Sequence, residues 1–245
     1  MVIKKMRAPI FKTIGQIIFP LGVICAVLLS LFLIFLNHRI LDGIIWRFET
    51  FESKPTLSQR IFERLTHREN IWQNEYVPSD SVLMFGDSHL QLIARSYLPH
   101  AYNFSVSGQG VGRMIERVPL FSAMSRASLI VINGGENDLS EGANAALVGL
   151  YWQKLFTKLP PKLPILCVGL PVSIGNRLNE NQVRAANIAI KNVCEKYGAD
   201  FLDLDLTKGP LKGQQMSNDR MHLSASGTKA LAVEIDRRYK SKIQH

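Results

Sequence analysis

The sequence predicts an α/β domain, a central parallel sheet with helices on both faces, preceded by one N-terminal transmembrane helix. Three observations predict it. Short apolar runs alternate with stretches of helical spacing from about residue 80 onward. The loops that follow those runs are rich in Gly, Asn, Asp and Ser, and a long uncharged stretch lies near the N-terminus. Alternating strand and helix argue for a parallel sheet, because parallel neighbours need a crossover and both faces of such a sheet must be covered.

The elements follow in order. Ile17 to Leu36 carries no charge, and about 20 apolar residues are the length of a helix that crosses the hydrocarbon core of a bilayer. It runs into Asn37-His38-Arg39-Ile40 without a small-residue cleavage site, so it reads as an uncleaved anchor rather than a signal peptide. Cys25 follows Ile24 rather than a small residue, which argues against lipoprotein-type cleavage. Lys4, Lys5, Arg7 and Lys12 precede the span with no acidic residue among them. The positive-inside rule then holds the tail in the cytoplasm and turns the rest of this single-pass chain outward, into the periplasm or the extracellular space. The organisation expected is a basic tail over 1–16, a membrane anchor over 17–36, a juxtamembrane arm over 37–78 and the α/β domain over 79–245. The arm is helix-prone around Leu57 to Leu65. A chain of 245 residues allows one domain with a sizeable core beyond the anchor.

Within the domain, Ser81 to Phe85 and Ser128 to Asn133 read as buried strands, and Asn103 to Ser107 as the end of another. Pro164 to Leu170 and Phe201 to Leu204 complete the set. Helices are expected from Leu90, over Ala143 to Leu159, over Asn179 to Tyr197 and over Ala225 to Lys240. Asn179 with Gln182 forms a capping-box signature, Val183, Ala186, Ile190, Val193 and Tyr197 recur at helical spacing, and Gly198 supplies the stop. Cys167 on a strand and Cys194 on a helix read as small buried residues rather than as a disulfide. The net charge of +9 falls to +5 without the four cations of the tail, which is an ordinary solvated surface. With no basic stripe and no aromatic nucleic-acid motif, nucleic acid is excluded as a partner. No Cys/His cluster has metal-ligand spacing, so neither metal nor cofactor is expected.

Four short motifs carry the chemistry: Gly86-Asp87-Ser88-His89, Ser107-Gly108, Gly135-Glu136-Asn137-Asp138 and Asp219-Arg220-Met221-His222. The first three each follow a predicted strand, at the sheet edge where open α/β folds bind ligands. Ser88 at the strand-to-helix turn is a candidate nucleophile, which needs a base and donors for the developing oxyanion. His222 is the candidate base. Asp219, three residues earlier, can hold its tautomer. Backbone N–H of Ser88 and Gly108 and the Asn137 side chain are the candidate oxyanion donors. Asp203 and Asp205, at a predicted strand end, compete with Asp219 for His222, whereas Asp87 and Asp138 read as braces of their loops.

These residues resemble the SGNH, or GDSL, esterases and lipases, named for the Ser, Gly, Asn and His that fall here on Ser88, Gly108, Asn137 and His222. Asp219 matches the aspartate of the family's Asp-x-x-His. The resemblance covers the chain from Ser81 to the C-terminal helix and implies a flavodoxin-like three-layer αβα sandwich. His89 departs from the Leu or Ile common in the family, and is expected to line the groove or serve structure. The resemblance implies a serine ester hydrolase working through an acyl-serine intermediate, and together with the outward-facing location it implies an enzyme of the cell envelope that removes acyl groups, acetyl among them, from a carbohydrate. Its partners would be that acylated glycan or lipid and the membrane. O-acyl transfer to an envelope glycan, lysophospholipase or thioesterase activity, and a non-catalytic envelope scaffold stay open beside it.

Overall fold

The structure, a computed structural model, describes residues 23–30, 32 and 57–243. The expected 1–16 tail, most of the 17–36 anchor and the first part of the arm lie outside the described residues. Two compact units divide the chain, Met1–Ser58 and Gln59–His245. In the first, residues 23–30 and 32 are helical and exposed. No helix among the described residues is long and apolar enough to cross a membrane.

The second unit holds five parallel strands, β1 (Val82–Phe85), β2 (Ala101–Asn103), β3 (Leu129–Asn133), β4 (Ile165–Val168) and β5 (Asp200–Leu202). Their order across the sheet is β2-β1-β3-β4-β5, the flavodoxin-like order, with the topological switch between β1 and β3. β1, β3 and β4 are buried along their whole length, which explains why they read as continuous apolar runs rather than alternating ones. Alternate side chains nevertheless go to opposite faces. Leu83, Phe85, Ile130, Ile132 and Cys167 join one core cluster with Met114, Trp152 and Ile190, while Val82, Met84, Leu129, Val131 and Leu166 join the other with Leu90, Leu231 and Ile235.

The helices that supply those partners are α1 (Leu57–Asn74), α2 (Ser88–Gln91), α3 (Val111–Arg117), α4 (Glu136–Ser140), α5 (Ala145–Phe156), α6 (Glu180–Lys196) and α7 (Ala225–Ile243). α3, α5 and α6 cover one face; α2 and α7 cover the other. α6 begins as its sequence specifies, with the Asn179 side chain accepting from Asn181 N and Gln182 N. The reciprocal half of the capping box is not made: Gln182 instead donates to Ala143 O at 3.2 Å and ties the start of α6 to the chain before α5.

Three expectations change. α1 runs to Asn74, well past Leu65. Its last turns are polar in sequence but anchored: Asn70 donates to Phe104 O at 3.1 Å, and Asn74 accepts from Ala123 N at 2.9 Å and donates to Ser122 Oγ at 3.1 Å. Both asparagines are buried. The second strand lies at 101–103, before the expected 103–107, because beyond Asn103 the chain leaves the ladder. It stays beside β1 through bonds from Phe104 N to Met84 O and Val106 N to Gly86 O, both 2.8 Å.

The third change is a correction. Cys167 and Cys194 form a disulfide across a Cα separation of 6.5 Å. Cys167 sits mid-strand on β4 and Cys194 near the end of α6, and both belong to the same core cluster. Residues that read as two small buried side chains therefore face each other once α6 packs on the sheet. A bridge closing 27 residues stabilises a domain by about 2–4 kcal/mol, chiefly by restricting the unfolded chain. The Cys167→Ser, Cys194→Ser double variant should lose that amount in urea unfolding, and the wild type should lose it under reducing conditions. Equal unfolding midpoints with and without reductant would contradict the bridge.

Candidate active site

The loops that leave the carboxyl ends of β1, β2 and β3 meet the loop before α7, and each owes its shape to local rules. β1 ends at Phe85, and Gly86 and Asp87 turn the chain into α2. Asp87 caps this helix, its Oδ1 accepting from His89 N at 3.0 Å, so Ser88 stands at the first helical position with a backbone N–H that the helix itself cannot satisfy. Beyond β2, Gly108 adopts φ 75°, a left-handed conformation that a side chain would strain. Gln91 Oε1 accepts from Ser107 N at 2.6 Å, and Asn103 donates to Leu90 O at 2.7 Å, which together fasten this loop to α2. Beyond β3, Gly135 has φ 124°, and a Cβ there would stand 2.9 Å from Val148 Cγ1. Trp152 Nε1 holds the same loop by donating to Gly134 O at 3.0 Å.

The loop before α7 is wound around one carboxylate. Asp219 Oδ1 accepts from Ser217 Oγ at 2.8 Å, Met221 N at 2.9 Å and His222 N at 3.0 Å. Arg220 takes φ 55° to let the chain turn back. The remaining oxygen, Oδ2, lies 2.6 Å from His222 Nδ1, and His222 Nε2 lies 2.8 Å from Ser88 Oγ. Ser88, His222 and Asp219 are thus joined in one line. The bond from His222, followed by the backbone N–H donors of His222 and Met221, holds the Asp219 carboxyl far below the usual carboxylate range. It therefore stays charged and accepts from Nδ1–H, which leaves the Nε2 lone pair directed at the serine hydroxyl. The arrangement can deprotonate Ser88.

The other candidates take different places. Asp205 is buried and bound elsewhere, to Arg184, to Lys208 at 3.5 Å and to Thr207 N at 2.9 Å. Burial acts to raise its pKa, but Thr207 and Arg184 outweigh it and hold it at about 2. Asp203 accepts from Asp205 N at 3.1 Å. Neither bonds to His222. Asp138 accepts from Val111 N at 2.8 Å, a brace between α4 and α3. Asn137 donates to Gln109 O at a long 3.4 Å, so its amide, with two N–H groups, keeps donor capacity for a ligand. Among the described residues, no group of three or more His, Cys, Asp or Glu is placed to hold a metal ion.

Sequence reasoning gave no part to Glu136, which is 3 % exposed and bonded to the equally buried His89. Burial would push the His89 imidazole down, yet the Glu136 carboxylate, by hydrogen bond and by charge, overcomes it and leaves His89 above an ordinary histidine. Its ring lies 5.8 Å from that of His222. Burial in turn raises the neighbouring Asp87 carboxyl. The available signal was two titratable residues, His89 and Glu136, inside adjacent motifs that converge on one sheet edge.

A family model described as GDSL-like lipase/acylhydrolase matches residues 85–230. No curated protein matches the sequence. Solved structures with the same fold include a GDSL-like lipase from Bacteroides thetaiotaomicron, 14% identical, with a TM-score of 0.59, covering 71% of this chain and 97% of that one. The lipase/acylhydrolase from Enterococcus faecalis is 16% identical, TM-score 0.56, covering 66% and 96%. A catalytic mutant of Axe2, an acetylxylan esterase from Geobacillus stearothermophilus, is 16% identical, TM-score 0.54, covering 65% and 94%.

The His89–Glu136 pair yields a pH signature. A histidine raised by its partner contributes stability that is full below the ordinary value of 6.5 and is lost as pH rises through the raised one. Glu136→Gln should therefore cost about 2 kcal/mol at pH 6, and the gap to wild type in thermal melts should shrink as pH climbs past the titration of His89. A gap that stays constant from pH 5 to pH 9 would show that the pair is not charged in the folded state.

Proposed function

Since the chain belongs to the GDSL-like lipase/acylhydrolase family and is a serine esterase of the SGNH type, we propose that Ser88, His222 and Asp219 are its catalytic triad and that it deacylates a carbohydrate outside the cytoplasmic membrane. The observation that carries the site assignment is the unbroken line from Ser88 Oγ through His222 to Asp219, at 2.8 and 2.6 Å. His222 takes the Ser88 proton as Oγ attacks the ester carbonyl, then returns it to the departing alcohol. Asp219 keeps Nδ1 protonated and offsets the charge of the imidazolium. Backbone N–H of Ser88 and Gly108 and the Asn137 amide receive the oxyanion. Water, activated by the same histidine, then releases the acid and frees the serine.

The disulfide supports the location, because such bridges persist in oxidising compartments and are rare in the cytosol. The uncharged 17–36 segment behind a basic tail supports a membrane anchor with the domain outside. The carbohydrate is supported by that location and by the acetylxylan esterase that shares the fold. A reporter fused after His245 should be active outside the cytoplasm only; activity of a cytoplasmic reporter would overturn both location and envelope substrate.

The triad assignment is tested by labelling and kinetics. A fluorophosphonate should modify Ser88 alone, and labelling that survives Ser88→Ala would remove the nucleophile. On a short-chain ester, His222→Ala should fall to the level of Ser88→Ala with little further loss in the double variant, since the two act as a unit. Asp219→Ala should be milder. Asn137→Ala should lower kcat by about a hundredfold with a small change in KM, because its donor is needed when the oxyanion forms. A wild-type rate in Asp219→Ala beside a crippled Asp203→Ala would transfer the acid to the end of β5.

A further inference from the structure

α1 is inverted relative to an ordinary surface helix, which turns an apolar stripe to the core and its polar face to water. Its inward side carries Asn70 and Asn74, both buried and bonded to Phe104 O, Ala123 N and Ser122 Oγ, with Ile71 packed beside them. Ile61, Phe62, Leu65 and Trp72 are exposed instead, Trp72 by 67 %, and Tyr76 in the turn that follows by 72 %. Ile61, Leu65, Trp72 and Tyr76 recur at i, i+4, i+11 and i+15, which sets them in one row. Single exposed apolar side chains are common, but a contiguous row of this size marks a surface that meets something other than water.

The sequence shows what lies within reach. The uncharged 17–36 segment ends about 20 residues before Leu57, and a chain of that length spans at most about 70 Å when fully extended. The row also has the composition of a bilayer interface: aliphatic side chains together with Trp and Tyr, whose rings have an apolar body and a polar tip and settle at the headgroup level. Arg64 and Arg68, exposed one turn apart, have stems long enough to lie along apolar surface while their guanidinium groups reach lipid phosphates. Glu69 and Glu75 are exposed as well, so these four charges cancel. The fit therefore rests on apolar burial rather than on attraction to anionic lipid.

Resting on the membrane-anchored reading above, we propose that the outward face of α1 lies in the interface of the bilayer that the 17–36 segment enters, with Ile61, Leu65 and Trp72 at the acyl boundary. An amphipathic helix seated in this way buries its apolar face between headgroups and chains. Asn70 fastens the same helix to Phe104 O, in the chain that leads from β2 to Gly108, so the lipid contact lies on the β2 flank of the catalytic edge.

The test uses the full chain reconstituted in phosphatidylcholine vesicles, in a Cys25→Ser background that removes the free cysteine and leaves Cys167 and Cys194 in their disulfide. A nitroxide is attached at Leu65→Cys or Trp72→Cys, and at Lys191→Cys on α6 as the exposed control; two positions on α1 guard against a variant that fails to fold. Collisions with oxygen, which concentrates in lipid, are compared with collisions with a water-soluble nickel chelate. The oxygen-to-nickel ratio at positions 65 and 72 should exceed that at 191 at least about threefold, and replacing half of the lipid by phosphatidylglycerol should change it by less than about twofold. Equal ratios at all three positions would overturn the proposal. Low collision with both reagents at 65 and 72 would overturn it in favour of a protein cover, whether the chain's own arm or a second copy. The anchor is read separately, by carbonate extraction of the unlabelled chain from the same vesicles: release would remove the anchored reading, while the collision ratios at neutral pH would still decide the contact of α1.

Discussion

All five strands run the same way, and so every strand delivers its following loop to one edge of the sheet. This is the constraint on which the site depends. β1 sits between β2 and β3, so the chain leaves it at the crevice where successive connections depart to opposite faces. Ser88 follows β1, Gly108 follows β2 and Asn137 follows β3, and the register of apolar residues against both helical layers fixes how far each loop projects. A slip of one residue in β1 would exchange Leu83 and Phe85 with Val82 and Met84 between the two cores, and with them the aim of Ser88.

The site contains two histidines whose surroundings differ in kind. His222 belongs to a partly exposed loop organised by one carboxylate, whereas His89 is sealed behind Ser88 with Glu136. A charge taken out of water must be paired, and removing one partner leaves the other uncompensated. The His89–Glu136 pair spans the loops after β1 and β3, and so makes the position of the serine loop conditional on the position of the Asn137 loop. That conditionality is a physical basis for holding Ser88 and Asn137 at a fixed separation through a contact between two distant loops.

On the opposite flank the fold is held by a different means. The disulfide joins β4 to α6, and Asn187 of α6 receives Leu170 N at 2.7 Å and donates to Leu170 O at 2.8 Å. Asn133 donates across from β3 to Val168 O and Gly169 O, each at 3.1 Å. These contacts tie β3, β4 and α6 to one another. Together with Trp152, they give the loop carrying Glu136 and Asn137 a firm base.

What the sequence by itself determined is what local rules govern. The apolar runs of β1, β3 and β4, the Asn179 cap and the Gly-containing turns depend on neighbours within a few residues, and a period or a cap is legible there. The family motifs were legible for the same reason, as short strings at strand ends. What only the tertiary structure decided are meetings between distant residues. Asp219 rather than Asp203 or Asp205 reaches His222, because Arg184 and Thr207 engage Asp205 once α6 packs beside β5. Cys167 meets Cys194, Gln182 turns to Ala143 instead of its own cap, and His89 finds Glu136, because each contact is made by the crossovers between strands. Such pairings follow from the sheet order, and side chains brought together by that order leave no period in the chain from which to read them.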